Sequence, residues 1–204
     1  PDEEMLRTLF KEVVELILHV METLGLIERC WYRVSLKDDE KEKYIDAPEA
    51  WEVAERALVA ACDEMGAVLQ RAAFSTNIKD RLDFSCAVFD PEGRLCAQAA
   101  HIPVHLGSMA YAMRGIVDRM DWQAGDTLVF NDPYLGGTHL PDVTLGSPVY
   151  VEGVLRAFVA NRAHHADIGA DSPGSMPISS SLEQEGLVLE PGFLIRGGAW
   201  NAKL

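Results

Sequence analysis

VTLGSPVYVEGVLRAFVA, residues 143–160, decides the architecture: two strand-like runs, Val143 to Val151 and Val154 to Ala160, flank the dipeptide Glu152-Gly153. A two-residue loop between apolar, β-branched segments is the signature of a hairpin. The flanking sequence carries a second such unit. Phe84 to Phe89 and Leu95 to Ala99 are joined by Asp90-Pro91-Glu92-Gly93-Arg94, whose residue types favour a turn. A further short strand is expected from Thr127 to Asn131, after Gly125-Asp126.

Helices alternate with these hairpins. Asp46-Ala47-Pro48-Glu49 has the form of a capping box with proline in the first turn. The helix it opens carries Ala54, Leu58, Ala61, Met65, Leu69 and Ala72 at helical spacing, a stripe of small residues suited to close packing, and the pattern turns to strand after Asn77. Ser108 is positioned to cap another helix bearing Met109, Met113, Ile116 and Met120. Upstream, Leu6, Phe10, Val13, Ile17, Met21 and Leu24 predict an amphipathic helix ending near Gly25, and the charged run from Ser35 to Lys43 reads as a solvated linker. The expected division is a helical extension over residues 1–45 and an α+β domain over 46–204, with helices packed on an antiparallel or mixed sheet built from hairpins.

Composition narrows the partners. The 204-residue chain is 48% hydrophobic with a net charge of −14, which suits a globular core and disfavours a phosphate-backbone partner. Cys30, Cys62, Cys86 and Cys96 lack the spacing of a thiolate zinc site, and Cys62 and Cys86 lie in apolar runs, where cysteine behaves as a small hydrophobe. With no leader-like or membrane-length apolar run, a cytoplasmic location is expected. The chain opens at Pro1 and stops at Asn201-Ala202-Lys203-Leu204, and it reads as a piece of something longer.

Chemically useful side chains concentrate in NDPYLGGTHLPD, residues 131–142, and in Arg162-Ala163-His164-His165-Ala166-Asp167. Imidazole and carboxylate are the usual ligands of a divalent metal, and Gly136-Gly137 allows close approach of backbone and ligand. If pairing runs outward in step from the Glu152-Gly153 turn, His164 falls opposite Pro141, and His139 and His164 form a diagonal pair about 7–8 Å apart at Cα. Strict alternation would then turn Asp142 to the other face, towards His165. A bulge at Pro141, which cannot donate a ladder hydrogen bond, would swing it back. His139, Asp142 and His164 are therefore taken as the metal triad. The competing reading is that these residues only tie strand ends together through backbone hydrogen bonds. His101 and His105 either line the pocket or flank Pro103 in a structured loop, and His19 reads as structural or as an interface residue.

RAAFSTNIKDRLDFSCAVFD, GRLCAQAAHIPVHLGSM, NDPYLGGTHLPDVTLGSPVY and NRAHHADIGADSPGSMP occur in this order between about Glu49 and Leu189. Through them the chain resembles the hydantoinase B/oxoprolinase family, the B-type component of ATP-dependent hydantoinases, 5-oxoprolinases, lactamases and acetone- or acetophenone-type carboxylases. The resemblance implies a metal (Mn, Zn or Fe) on His139, Asp142 and His164, and a hydantoinase A-like partner that uses ATP to phosphorylate the substrate. No GxxxxGK[ST] cradle occurs in this chain, in keeping with ATP residing on the partner. The implied activity is opening of a cyclic amide such as hydantoin, 5-oxoproline or a lactam. Carboxylation of a ketone, or a non-catalytic scaffolding role, stands as the alternative. Under the same resemblance His165 and Asp167 are expected to act as general bases or as orienters of His164, and His101, His105, Asn131, Tyr134, Gly136 and Gly137 to line the substrate site. Members of B type continue far beyond this length, so a separate chain completing the fold is a further expected partner.

Overall fold

The computed structural model describes residues 48–105, 107–172 and 174–201. The extension helix with His19, Cys30, the charged linker, the boundary near Tyr44 and the capping residue Asp46 lie outside them. The ordered elements are helix α1 (Pro48–Ala72), a helical turn α2 (Thr76–Lys79), strands β1 (Phe84–Phe89) and β2 (Leu95–Ala100), helix α3 (Ser108–Val117), strands β3 (Thr127–Phe130), β4 (Asp142–Val151) and β5 (Val154–His164), the short helix α4 (Leu182–Glu185), and strands β6 (Gly192–Arg196) and β7 (Ala199–Trp200). All seven strands join one antiparallel sheet in the order β2-β1-β5-β4-β3-β6-β7. The α+β class follows. No described helix is long and apolar enough to cross a membrane.

The sheet is covered on both faces. α1 lays Ala61, Cys62, Met65, Leu69 and the neighbouring Ala73 against Phe84, Cys86, Val88, Ala97, Ala99 and Val159. Burial pushes the Cys62 thiol up to about 12 and raises the Cys86 thiol further, so both are inert apolar filler. On the opposite face, Met109 and Met113 of α3 pack on Ala87, Phe89, Phe158 and Ala160, while Ala112 and Ile116 meet Leu128 and Phe130. Alternation along β1 and β5 thus sends successive residues to different helices. Ser108 opens α3 without capping it: the cap position is Gly107, at φ 80°, and the Ser108 hydroxyl is within 3.3 Å of the His105 carbonyl and 2.8 Å of Arg162 Nη1. Sequence patterning did not anticipate α2, α4 or the β6–β7 hairpin, whose turn is Gly197-Gly198.

The β4–β5 ribbon begins as expected, with Val151 opposite Val154. Its register then shifts between Val149 and Tyr150, because Arg156 is an extra residue between Leu155, opposite Tyr150, and Ala157, opposite Val149. This bulge corrects the in-step register. His164 faces Asp142 rather than Pro141. Residues directly opposite one another in an antiparallel ladder point to the same face. Asp142 therefore joins His164 through a bulge far away at Arg156, with no bulge at Pro141 required.

Candidate metal centre

Three segments deliver the central cluster. β4 begins at Asp142, the loop before it carries Thr138 and His139, and β5 ends at His164. His139 Nε2 lies 2.9 Å from His164 Nδ1, and Asp142 Oδ1 lies 3.1 Å from the first and 3.2 Å from the second. The imidazole planes are nearly perpendicular, at 88°. Ligand atoms about 2.0–2.2 Å from a common ion, subtending roughly 90–110°, stand about 2.8–3.6 Å apart. All three separations fall inside that window. Asp142 Oδ1 is buried and has no aligned hydrogen-bond donor, although both ring nitrogens are close. The two ring nitrogens are also within hydrogen-bonding distance of each other, and the spacing and chemistry of the three groups fit a divalent cation.

Asp142 is nearly fully buried, at 1% exposure. Burial opposes its charge, but the contacts of His105, His139, His164 and Thr138 outweigh burial and hold the carboxyl far below the usual carboxylate range. The close contact with this carboxylate correspondingly raises the His139 pKa against the effect of its own burial. The second oxygen, Oδ2, accepts from the Thr138 hydroxyl and lies 3.3 Å from His105 Nε2. His139 is the open side of the cluster, with 31% of its side chain exposed.

Two residues without an assigned role in the sequence reading shape this centre. Asp83 precedes β1, and its backbone carbonyl accepts from the His164 amide at 2.9 Å while its Oδ2 lies 3.6 Å from His164 Nδ1. The non-local β1–β5 pairing brings it there, and no hairpin pattern in the sequence reveals that pairing. Arg162, fully buried two residues before His164, donates to Thr144 Oγ1, Ser108 Oγ and the Gly136 carbonyl, each at 2.8 Å. Burial lowers its pKa to about 10, against the opposing pull of Asp142. It fastens β5 to β4, to the start of α3 and to the loop that carries Gly136 and His139.

The other anticipated residues are placed as follows. His105 is fully buried, with Nδ1 3.0 Å from Ser85 Oγ and Nε2 facing Asp142, so it sits behind the carboxylate rather than at an open substrate surface. His101 stacks on Phe84 with ring centroids 4.5 Å apart and abuts Gly66 of α1. Asn131 is fully buried and spent on the fold: it donates to the carbonyls of Leu140 and Leu187 and accepts from the Leu189 amide. A Cβ on Gly136 would fall 2.5 Å from Ala112 Cα, and one on Gly137 would fall 2.4 Å from the Asn131 carbonyl oxygen, so both glycines serve close backbone packing. Tyr134 is largely exposed, at the edge of a surface groove with Tyr111, Arg114 and Arg119. The His165 amide donates to the Pro141 carbonyl, and burial followed by the neighbouring His164 lowers its ring pKa, favouring the neutral imidazole. Asp167 is exposed and accepts from the Gly169 and Ala170 amides of its own turn.

Known proteins share sequence and fold with this chain. The chain is 46% identical over 139 residues to the 5-oxoprolinase of Dictyostelium discoideum, covering 67% of this chain and 11% of that protein. Among solved structures, an ATP-dependent caprolactamase from Pseudomonas jessenii is similar with a TM-score of 0.55 and 31% identity over 59% of this chain and 21% of the other. A nucleotide-free acetone carboxylase shares the fold over 92% of this chain and 25% of its own, with a TM-score of 0.68 at 19% identity. The chain thus spans about a quarter or less of each. The Hydantoinase B/oxoprolinase family model matches residues 47–204, and the chain belongs to that family.

Proposed function

We propose that this chain supplies the cation-holding part of an ATP-dependent cyclic-amide hydrolase, acting on a substrate phosphorylated by a hydantoinase A-like partner. The observation that carries the reading is the convergence of His139 Nε2, His164 Nδ1 and Asp142 Oδ1 within 3.2 Å, inside the segment matched by the family. The reaction class is supported by relatives named for lactam substrates, the 5-oxoprolinase and the caprolactamase. The likeness to the acetone carboxylase, at 19% identity, speaks for fold alone.

Amide resonance makes an unactivated lactam a poor electrophile, which gives ATP its purpose. Phosphorylation at the amide oxygen creates an imidate; water adds to its carbon, the carbon–nitrogen bond breaks as the ring nitrogen leaves with the electron pair and takes up a proton, and a second water splits the resulting acyl phosphate into carboxylate and phosphate. A divalent ion on His139, Asp142 and His164 would supply Lewis acidity, lowering the pKa of a coordinated water and polarising a substrate oxygen. The chain's residues prepare that chemistry. Thr138 and His105 occupy the Oδ2 side of Asp142, which leaves Oδ1 for the two imidazoles. Arg162 holds the ligand loop through Gly136, and the partly exposed His139 marks the approach from solvent. His165, kept neutral by burial and within electrostatic reach of Asp142, is the group we assign to accept the proton of the attacking water.

The test is the full-length protein assembled with its partner, given ATP and 5-oxoproline, hydantoin or caprolactam. Ring opening coupled to phosphate release is expected, with His139→Ala and His164→Ala each losing bound metal and at least about 100-fold in turnover. A complex without stoichiometric metal, or variants that keep both metal and turnover, would overturn the reading. Acid formation from a ketone and bicarbonate would reassign the centre to carboxylation.

A further inference from the structure

The outer side of α3 borders a groove that the candidate centre does not use. Tyr111 and Gly115, one turn apart on the helix, line it together with Arg114 and with Arg119 just beyond the helix end. Tyr134-Leu135, from the loop before β4, and Pro191 line it from other segments, and Ile116 and Met120 add apolar surface. The two tyrosines are 74% and 84% exposed. At about 240 Å³ the recess is smaller than the roughly 300–1,000 Å³ of pockets that enclose a small molecule, and it suits one or two side chains of a docked polypeptide.

Two features of the groove find no use among the described residues. Gly115 sits inside α3 without the positive φ that calls for glycine, and a Cβ added there would meet nothing within 4 Å. Alanine would strengthen the helix at no steric cost. A glycine at such a point leaves room for a foreign backbone to come close. The second feature is charge: the guanidinium groups of Arg114 and Arg119 are exposed and have no ion-pair partner among the described residues, in a chain of 32 acidic and 18 basic residues. No carboxylate lines the groove. Tyrosine and arginine are the side chains that most often anchor an interface, and an apolar recess with a polar rim is the make-up of a non-obligate one.

We infer that this groove docks an acidic segment of a separate partner protein, with an apolar side chain seated over Gly115 and flanking carboxylates paired to Arg114 and Arg119. A two-fold pair of copies meeting at this patch would set arginine against arginine, so a second copy is the poorer occupant.

The test is fluorescence polarisation on the full-length protein, using a labelled acidic peptide with one central phenylalanine and the same peptide with amides in place of its carboxylates. The acidic peptide is expected to bind at least about tenfold more tightly than the control, and less tightly as salt rises. Gly115→Trp fills the recess and Arg119→Glu reverses charge on an exposed side chain; each should cut affinity at least about tenfold with the melting temperature held. Gly115→Ala should raise the melting temperature, and a fall would show a structural duty for this glycine and overturn the argument. Equal binding of the two peptides, or variants that bind like the unmodified protein, overturns the inference. So does a Gly115→Cys thiol in the full-length protein that iodoacetamide cannot reach, because the protein's own chain then fills the groove. A dimer that Gly115→Trp dissolves would name a second copy as occupant and overturn it equally.

Discussion

Gly136 has a φ of 100°, and its missing Cβ would fall 2.5 Å from the backbone of Ala112. Gly136→Ala is therefore expected to destabilise the protein by about 3 kcal/mol or more, because neither strand loop nor helix can yield. Gly107→Ala is its control. That residue also has positive φ, 80°, with ψ −39°, but open space around it, so only the backbone penalty of a sparsely populated conformation, about 1–3 kcal/mol, applies. Urea unfolding of the two variants measures the difference. Arg162→Lys keeps the charge but not a planar fork for Thr144, Ser108 and Gly136; a loss of about 2–4 kcal/mol is expected in the same assay. At this scale the sequence discloses donor chemistry better than employment. His139, Asp142 and His164 stand out as ligand types, whereas the duties of Asn131 are invisible because its partners Leu187 and Leu189 are 56 and 58 residues away.

Among the elements, the β4–β5 turn holds an avoidable strain. Glu152 has φ 51° and Gly153 φ 79°, the paired positive values of a type I′ turn, for which asparagine suits the first position better than glutamate. Glu152→Asn is expected to stabilise the fold by about 0.5–1 kcal/mol, read as a rise in melting temperature with no change in metal content. The same turn shows why hairpins were legible: loop chemistry and flanking β-branched residues are local signals. α3 was legible from the spacing of Met109, Met113 and Ile116, yet its cap was not, since Ser108 turns its hydroxyl towards Arg162. The β6–β7 pair escaped notice because Gly192 to Trp200 is short and only partly buried.

Across the whole molecule, the candidate centre gathers Asp83, His105, Asp142, His139 and His164 from segments bordering β1, β2, β4 and β5, neighbours in a sheet order that no run of adjacent residues encodes. An ion binding only the folded arrangement stabilises it, by about 2.7 kcal/mol at a hundredfold excess over Kd. Chelation should lower the melting temperature of the native protein, and His164→Ala should abolish that sensitivity in a calorimetric scan. Cys62 and Cys86, sealed between α1 and the sheet, should resist iodoacetamide at pH 8 until the sheet opens, which peptide mapping after graded denaturant would detect. Family kinship was readable in four long motifs, while register was not, because Arg156 carries no mark of its bulge. That single unmatched residue works like a vernier. Deleting it would slide one arm of the ribbon by one notch, turn Asp142 away from its histidines, and dismantle the candidate centre roughly 25 Å along the strand with every one of its residues still in the sequence.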